Sequence, residues 1–464
     1  MKRRALTALS ILLLASAPAA AGSLPPPQSF VLVNGITVLL HTDNELPLVS
    51  FRLLLPGAGT ASEKADGLAD LAAAMLLKGT STRSAAQVAE ELDRLGVSLR
   101  CTAQEEYAEM SGGSLSENFP ALLALAADCL TAPAFAADEF AKEKQRRIDA
   151  IRQVQDEPSQ AVRQYFRKVY FAGHPLGSLK GGSESSLQAL GVEDARAFFR
   201  RHWLPAAAAR PVLVVCGKAD AAGLKRLLAS TLGRWSRPAG EEAVAAAAMP
   251  PLPAVKGRTC VLIDKPDATQ AYFMLGVPGL PFGDPDSPEA EVMNTLFGGR
   301  FTSWLNSELR IKRGLTYGAR SILQSWRPGG VFTVTSYTKN DRIGEMLAIT
   351  FELLAKARQE GFSAVEVESA RHYILGQFPP SLESLASKTR AYSELFFYGK
   401  GFDYYDGLMS RVEQADAAGV RRAAAALLPE QDYVLVVVGK ADDIRKQLEP
   451  FGPFSERKIR AGEF

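Results

Sequence analysis

Val212-Leu-Val-Val-Cys-Gly-Lys-Ala-Asp220 returns in the second half of the chain as Val434-Leu-Val-Val-Val-Gly-Lys-Ala-Asp442, broken only at Cys216 against Val438. In each copy a continuous apolar run ends in Gly-Lys-Ala-Asp, and a stretch with helical apolar spacing follows, Leu224 to Leu232 in one and Ile444 to Leu448 in the other. A repeat over this range makes the chain two copies of one module. Each module opens on strand-like runs: Phe30 to Leu40 and Val49 to Leu55 in the first, Cys260 to Asp264 and Gln270 to Val277 in the second. In the first module helices are expected over Ala85 to Leu95, stopped by Gly96, and over Asp138 to Gln153. Runs of strands mixed with helices argue an α+β fold with largely antiparallel sheets.

Working outward from the repeat, residues 22–240 form the first domain, a Pro/Ala/Gly-rich stretch at 241–254 reads as a linker, and 255–464 form the second domain. Residues 1–21 read as a signal peptide: Met1-Lys-Arg-Arg4 is basic, Ala5 to Ala15 is apolar, and Ala19-Ala-Ala21 suits cleavage before Gly22. The apolar run is too short to span a bilayer, and no other stretch is long enough, so no stable membrane insertion is expected. Export to a bacterial periplasm follows. A net charge of +2 with 22% charged residues gives no electrostatic footprint for nucleic acid. The four cysteines, Cys101, Cys129, Cys216 and Cys260, are scattered through apolar surroundings and read as small buried hydrophobes. None of the four histidines, His41, His174, His202 and His372, has a His or Cys partner three or four residues away, so no metal site is expected.

Gly67-Leu-Ala-Asp-Leu-Ala-Ala-Ala-Met-Leu-Leu-Lys-Gly-Thr80 carries the remaining motif, an Ala-rich helix expected from about Asp66 to Lys78. Its frame resembles the zinc helix of the inverted zinc metallopeptidases, the insulinase, pitrilysin and mitochondrial-processing-peptidase family. That family's pattern is His-x-x-Glu-His followed by mostly apolar residues and Lys-Gly-Thr. The resemblance places the first His at Asp70, the Glu at Ala73 and the second His at Ala74. Asp149-Ala-Ile-Arg-Gln-Val-Gln-Asp-Glu-Pro158 matches the family's later Glu-Ile-x4-(Asp/Glu)-x-Pro stretch, with the third ligand position at Ala150. Two imidazoles four residues apart share a helix face and grip one zinc, while the intervening carboxylate activates the bound water. Methyl groups do neither, so the zinc site is expected to be degenerate.

Further stretches carry the resemblance across nearly the whole chain after residue 21. Gly173-His-Pro-Leu-Gly177 looks like the family's Gly-His-Pro-x-Gly turn. Leu296-Phe-Gly-Gly-Arg-Phe-Thr-Ser-Trp-Leu305 looks like its Gly-Gly-x-x-x-Ser-x-Leu helix entry, and Glu308-Leu-Arg-Ile-Lys-Arg-Gly-Leu-Thr-Tyr317 is similar to its Leu-Arg-x-Lys-x-Gly-Leu-x-Tyr segment. In the family the Arg and Tyr of that last segment reach the substrate at the zinc site, which singles out Arg310 and Tyr317. The spacing predicts a helix over Ser303 to Arg313, a stop at Gly314 and a strand through Leu315 to Tyr317. The local residues alone also suit a basic cluster that complements a helix C-terminus, with Tyr317 packed on the sheet. Val97 to Thr102 and Tyr107 to Gly113 alternate like paired strands, and in the family the equivalent strand is an open edge to which a peptide adds. An internal strand fits the same alternation.

The resemblance implies two homologous α/β-layered domains forming half of a clamshell peptidase chamber. It further implies a non-catalytic subunit, inert alone, that binds no cofactor itself. Zinc would sit in a homologous partner with an intact His-x-x-Glu-His, and Arg310 and Tyr317 would act there on a peptide substrate. The alternative is a stand-alone pseudoenzyme serving as a periplasmic peptide-binding or scaffold protein.

Overall fold

The structure, a computed structural model, describes residues 24–237, 248–460, 462 and 464. The expected signal peptide at 1–21 and residues 241–247 of the expected linker lie outside the described residues. The first sheet contains β1 (Gln28–Val31), β2 (Thr37–Thr42), β3 (Leu48–Pro56), β4 (Ser98–Ala103), β5 (Tyr107–Leu115) and β6 (Val212–Gly217). The second contains β7 (Arg258–Asp264), β8 (Gln270–Gly279), β9 (Arg320–Trp326), β10 (Gly329–Lys339), β11 (Tyr433–Gly439) and β12 (Phe454–Lys458). Strand orders are β1-β2-β6-β3-β5-β4 and β12-β7-β11-β8-β10-β9. The repeated segments thus become β6 and β11, the matched inner strands of two matched sheets. Each lies parallel to one neighbour, β2 or β7, and antiparallel to the other, β3 or β8. The remaining pairs are antiparallel except β12 with β7, so the largely antiparallel α+β expectation holds.

The expected single strand over Phe30 to Leu40 is instead the β1–β2 hairpin, turning at Asn34-Gly35 with Gly35 at φ 84°. Asn34 holds the turn by donating its side-chain amide to the carbonyls of Leu232 and Trp235, at 2.9 and 2.8 Å.

One face of the first sheet packs on α1 (Leu68–Met75), α2 (Ala85–Leu95), α3 (Phe119–Thr131) and α4 (Ala137–Asp156), with Leu53, Met110, Leu122 and Ile148 among the buried residues. The other face is covered from the opposite half of the chain. Helix α6 (Leu385–Tyr398) lays Ala391, Tyr392 and Leu395 on Leu39, Leu54, Val212 and Val214. In return α5 (Pro158–Tyr170) lays Ala161, Val162, Tyr165 and Phe166 on Val261, Ile263, Val434, Val436 and Val438 of the second sheet. This exchange explains the repeat itself. β6 and β11 are buried on both faces along their whole length, and a strand covered on both faces is continuously apolar rather than alternating. Gly276 of β8 belongs to the same contact, since a Cβ there would lie 2.2 Å from the Phe166 ring.

Candidate functional site

Helix α1 is the segment that the resemblance aligns with the zinc helix, and its N-terminus is held from below. Glu63 accepts from the backbone N–H of Gly67 at 3.2 Å and of Ala69 at 2.7 Å, so a carboxylate satisfies two amides of the first turn. Ser178, directly after the Gly-His-Pro-x-Gly turn, donates to Glu63 and lies 3.0 Å from Asp66, which pairs with Lys168 of α5. The turn is therefore a buttress: His174 Nδ1 accepts from Leu176 N, and its Nε2 lies 3.0 Å from the Pro250 carbonyl. Burial pushes the Glu63 carboxyl up to about 7, against the downward pull of the Ser178, Ala69 and Gly67 hydrogen bonds.

A raised carboxyl in the fold means that the folded chain holds a proton the unfolded chain has released. Stability from Glu63 is complete below the ordinary glutamate range near pH 4.5 and is lost as pH rises through about 7. Thermal melts of the wild type and Glu63→Gln at pH 5 and pH 8 test this. Relative to the variant, the wild type is expected to lose about 2 kcal/mol across that interval. A pH-independent difference would show that Glu63 is already ionised in the fold at pH 5.

Four positions correspond, by the resemblance, to the family's three zinc ligands (Asp70, Ala74, Ala150) and its water-activating Glu (Ala73). Asp70 is committed: its Oδ2 accepts from Arg147 Nη1 at 2.9 Å, its carbonyl from Arg147 Nη2 at 3.2 Å, and its Oδ1 from the backbone of Ala103 in β4 at 3.1 Å. Ala73 is fully buried, Ala74 half-buried and Ala150 exposed on α4. Arg147 also donates through Nε to Glu143 at 3.0 Å, and Glu143, 2% exposed, is held by Arg146 as well. Burial pushes the Glu143 carboxyl up, but Arg146, Arg147 and Lys78 outweigh it and keep it below the usual range. A guanidinium thus joins α1 to α4, with carboxylates on both sides. Among the described residues no group of three or more His, Cys, Asp or Glu is placed to hold a metal.

The metal expectation is tested by elemental analysis of the purified chain and of Arg147→Ala. Neither is expected to retain stoichiometric zinc, because removing the guanidinium restores no imidazole. About one zinc per chain surviving dialysis in either protein would overturn it. Arg147→Ala should also cost about 3 kcal/mol of stability by leaving buried carboxylates without their partner.

In the second domain the expected α-helix over Ser303 to Arg313 is π-helical across Asn306–Lys312, and Leu315 to Tyr317 is not a strand, since β9 begins at Arg320. Side chains fix the intervening segment in its irregular path. Asn306 Oδ1 accepts from Ala319 N at 3.0 Å, Thr338 donates to the Leu315 carbonyl at 2.7 Å, and Thr316 bridges to Gly318. The stop itself is as expected: Gly314 sits at φ 60° and donates to the Arg310 carbonyl at 3.1 Å. Tyr317 does not pack on the sheet; it is 80% exposed. The Arg310 guanidinium lies 4.7 Å from the Phe301 ring centre, and among the described residues it makes no hydrogen bond or ion pair. Among the described residues neither the Arg310 guanidinium nor the Tyr317 hydroxyl has a hydrogen-bond partner, so both are donors available from one segment. Widened helical turns of this kind occur often at functional sites.

The sequence profile of the insulinase family (peptidase family M16) matches residues 38–180, and that of the peptidase M16 inactive domain matches residues 189–374. The chain belongs to the M16 family. An uncharacterized zinc protease of Bacillus subtilis is 25% identical to this M16 chain over 420 residues, spanning 90% of this chain and 99% of its own. An uncharacterized zinc protease of Rickettsia bellii is 28% identical over 365 residues, spanning 77% and 84%. Among solved structures, a peptidase M16 inactive domain from Pseudomonas fluorescens superposes with a TM-score of 0.81 at 24% identity, covering 89% of this chain and 98% of that one. A Helicobacter pylori protease superposes at 0.82 with 17% identity, covering 89% and 100%. These likenesses establish the fold of the M16 chain. Arg147 and Glu143 escape the reading from sequence; their four-residue spacing on α4, on the same helix as the lost ligand position, was the available signal.

Proposed function

We propose that this M16 chain is the non-catalytic subunit of a two-chain zinc metallopeptidase, exported to the periplasm, and that it supplies Arg310 and Tyr317 to a partner's zinc site. The observation that carries the reading is a contrast between the two domains. The zinc-helix position is closed by the Arg147 bridge, while among the described residues the Arg310 and Tyr317 donors stand unpartnered. A guanidinium offers a planar fork of donors to a substrate carbonyl or carboxylate, and a phenol donates to the oxyanion that forms at the scissile carbon. Neither needs a metal in its own chain.

Export is supported by the basic start, apolar run and small-residue cleavage signal at residues 1–21. Among the described residues no helix is long and apolar enough to cross a membrane. The test is to mix the purified chain with an exported homologue that carries His-x-x-Glu-His and to follow both complex size and peptide cleavage. Cleavage should need the homologue's zinc and should rise when this chain is added. No complex and no gain in rate would reject the pairing.

A second reading, a peptide-binding pseudoenzyme acting alone, is favoured by the exposed edge of the first sheet at β4. It expects peptide capture without a zinc-bearing partner.

A further inference from the structure

The face of the first sheet that α6 covers carries a polar cavity of about 510 Å³ between β3, β5, β4 and the N-terminal half of α6. The strand register builds it in rows. Ser50, Gly113 and Ser98 lie across the three strands, and Arg52, Ser111 and Arg100 lie across the next step. Small residues therefore form the floor, and arginines stand at both sides. Arg390 and Thr389 of α6 close the top.

Arg52 is 7% exposed and is braced by Glu109, with its Nη1 3.5 Å from Glu394 Oε1 and without a hydrogen bond. Arg100 and Arg390 are exposed and, among the described residues, their guanidiniums make no hydrogen bond and no ion pair within 4 Å. The cavity thus gathers three guanidiniums, Arg52, Arg100 and Arg390, against two carboxylates, Glu109 and Glu394, with Glu394 drawn on by both Arg52 and Arg390.

This cavity adjoins an open strand. β4 ends the sheet, and the Ala103 N–H leaves the sheet to reach Asp70, so the two-residue period turns the N–H and C=O groups of Leu99 and Cys101 the same way. The odd-numbered side chains of β4 face the core shared with α1; Ser98 and Arg100 line the cavity, and Thr102 lies on their face of the strand. A peptide added to this edge would place alternate side chains on the cavity side, about 5 Å from the β4 residue opposite and 7–8 Å from its diagonal neighbour. Both separations are within reach of an arginine.

The geometry points to an acidic-peptide subsite: an extended segment pairs with β4 and places an aspartate or glutamate carboxylate between Arg100 and Arg390. This rests on the reading of the chain as a peptide-binding member of its family and adds the class of peptide it prefers. Main-chain pairing supplies sequence-independent attachment, and the two guanidiniums supply charge selection.

The test uses residues 22–464 and fluorescein-labelled 12-residue peptides of alternating Thr-Glu or Thr-Gln, read by fluorescence anisotropy at low salt. Alternation puts every Glu on one face, so either register can present it to Arg100. The Glu peptide is expected to bind at least 10-fold more tightly than the Gln peptide. In Arg100→Gln/Arg390→Gln, two exposed positions whose replacement leaves the core intact, that advantage should vanish while the Gln peptide binds as before. Methylating alternate backbone nitrogens of the Glu peptide should abolish binding. Equal binding of the two peptides to the wild type, or a Glu advantage that survives in the double variant, would overturn the acidic subsite and leave the edge-binding role standing. Undiminished binding of the methylated peptide would overturn strand addition. Failure of every peptide to bind would reject the peptide-binding reading itself.

Discussion

Arg310→Ala and Tyr317→Phe, each assembled with a zinc-bearing partner, are expected to leave the complex intact and slow peptide cleavage by about 10- to 1000-fold. This is the range for removing one donor aimed at charge that develops in the transition state. Each of these side chains does little for its own chain. Tyr317 is 80% exposed, so losing its hydroxyl removes no packing. Arg310 touches Phe301 through its guanidinium, a contact worth about 0.5–1 kcal/mol at an exposed site. Neither substitution should move the melting temperature by more than a few degrees. A drop in kcat and kcat/KM together, at unchanged complex size, marks a donor used only in the transition state. A rise in KM alone would assign the side chain to substrate binding instead. Wild-type rates from both variants in an intact complex would remove Arg310 and Tyr317 from the chemistry.

How much of this was legible in the sequence depended on the range of the interaction. Helix α2 ends where expected because its signals are local: Ser84 and Gln87 form a reciprocal cap at the start, and Gly96 adopts φ 63° at the end. The repeat fixed the two modules because β6 and β11 are each buried on both faces. The break between β1 and β2 is also local: Asn34-Gly35 is a turn signal set inside an otherwise apolar run.

The segment after Gly314 defeated pattern reading for a different reason. Leu315, Thr316 and Tyr317 have strand propensity, yet Asn306, Thr316 and Thr338 satisfy the backbone there through side chains. What fills the position that the resemblance assigns to the zinc site was less accessible still. The absence of His and Glu could be read directly; the Arg147 bridge required knowing that α4 lies beside α1. The exchange of α5 and α6 left no sequence signal beyond their own apolar stripes.

That exchange carries the largest expected effect: residues 22–240 and 255–464, expressed separately, should each fail to show a cooperative thermal transition, and co-expression should restore one. Without α5, the second sheet exposes Val261, Ile263, Val434, Val436 and Val438; without α6, the first exposes Leu39, Leu54, Val212 and Val214. Burying one such side chain contributes about 1.5–3 kcal/mol, so losing a whole covered face removes an amount comparable to the 5–15 kcal/mol that keeps a domain folded. The orphaned helices add to the loss, since Tyr165, Phe166, Tyr392 and Leu395 become exposed in the separated halves.

A point variant of the full chain separates this from a general fragility of fragments. Phe166→Ala should destabilise by about 3–5 kcal/mol, as expected for a deleted core ring. Gly276→Ala should be tolerated far better in that background than in the wild type, because the ring that its Cβ would strike 2.2 Å away is gone. Additive effects of the two substitutions would deny the contact between α5 and β8. A half that melts cooperatively near the temperature of the whole chain would show that its sheet is stable with one face bare, and the two domains would then be linked rather than interlocked.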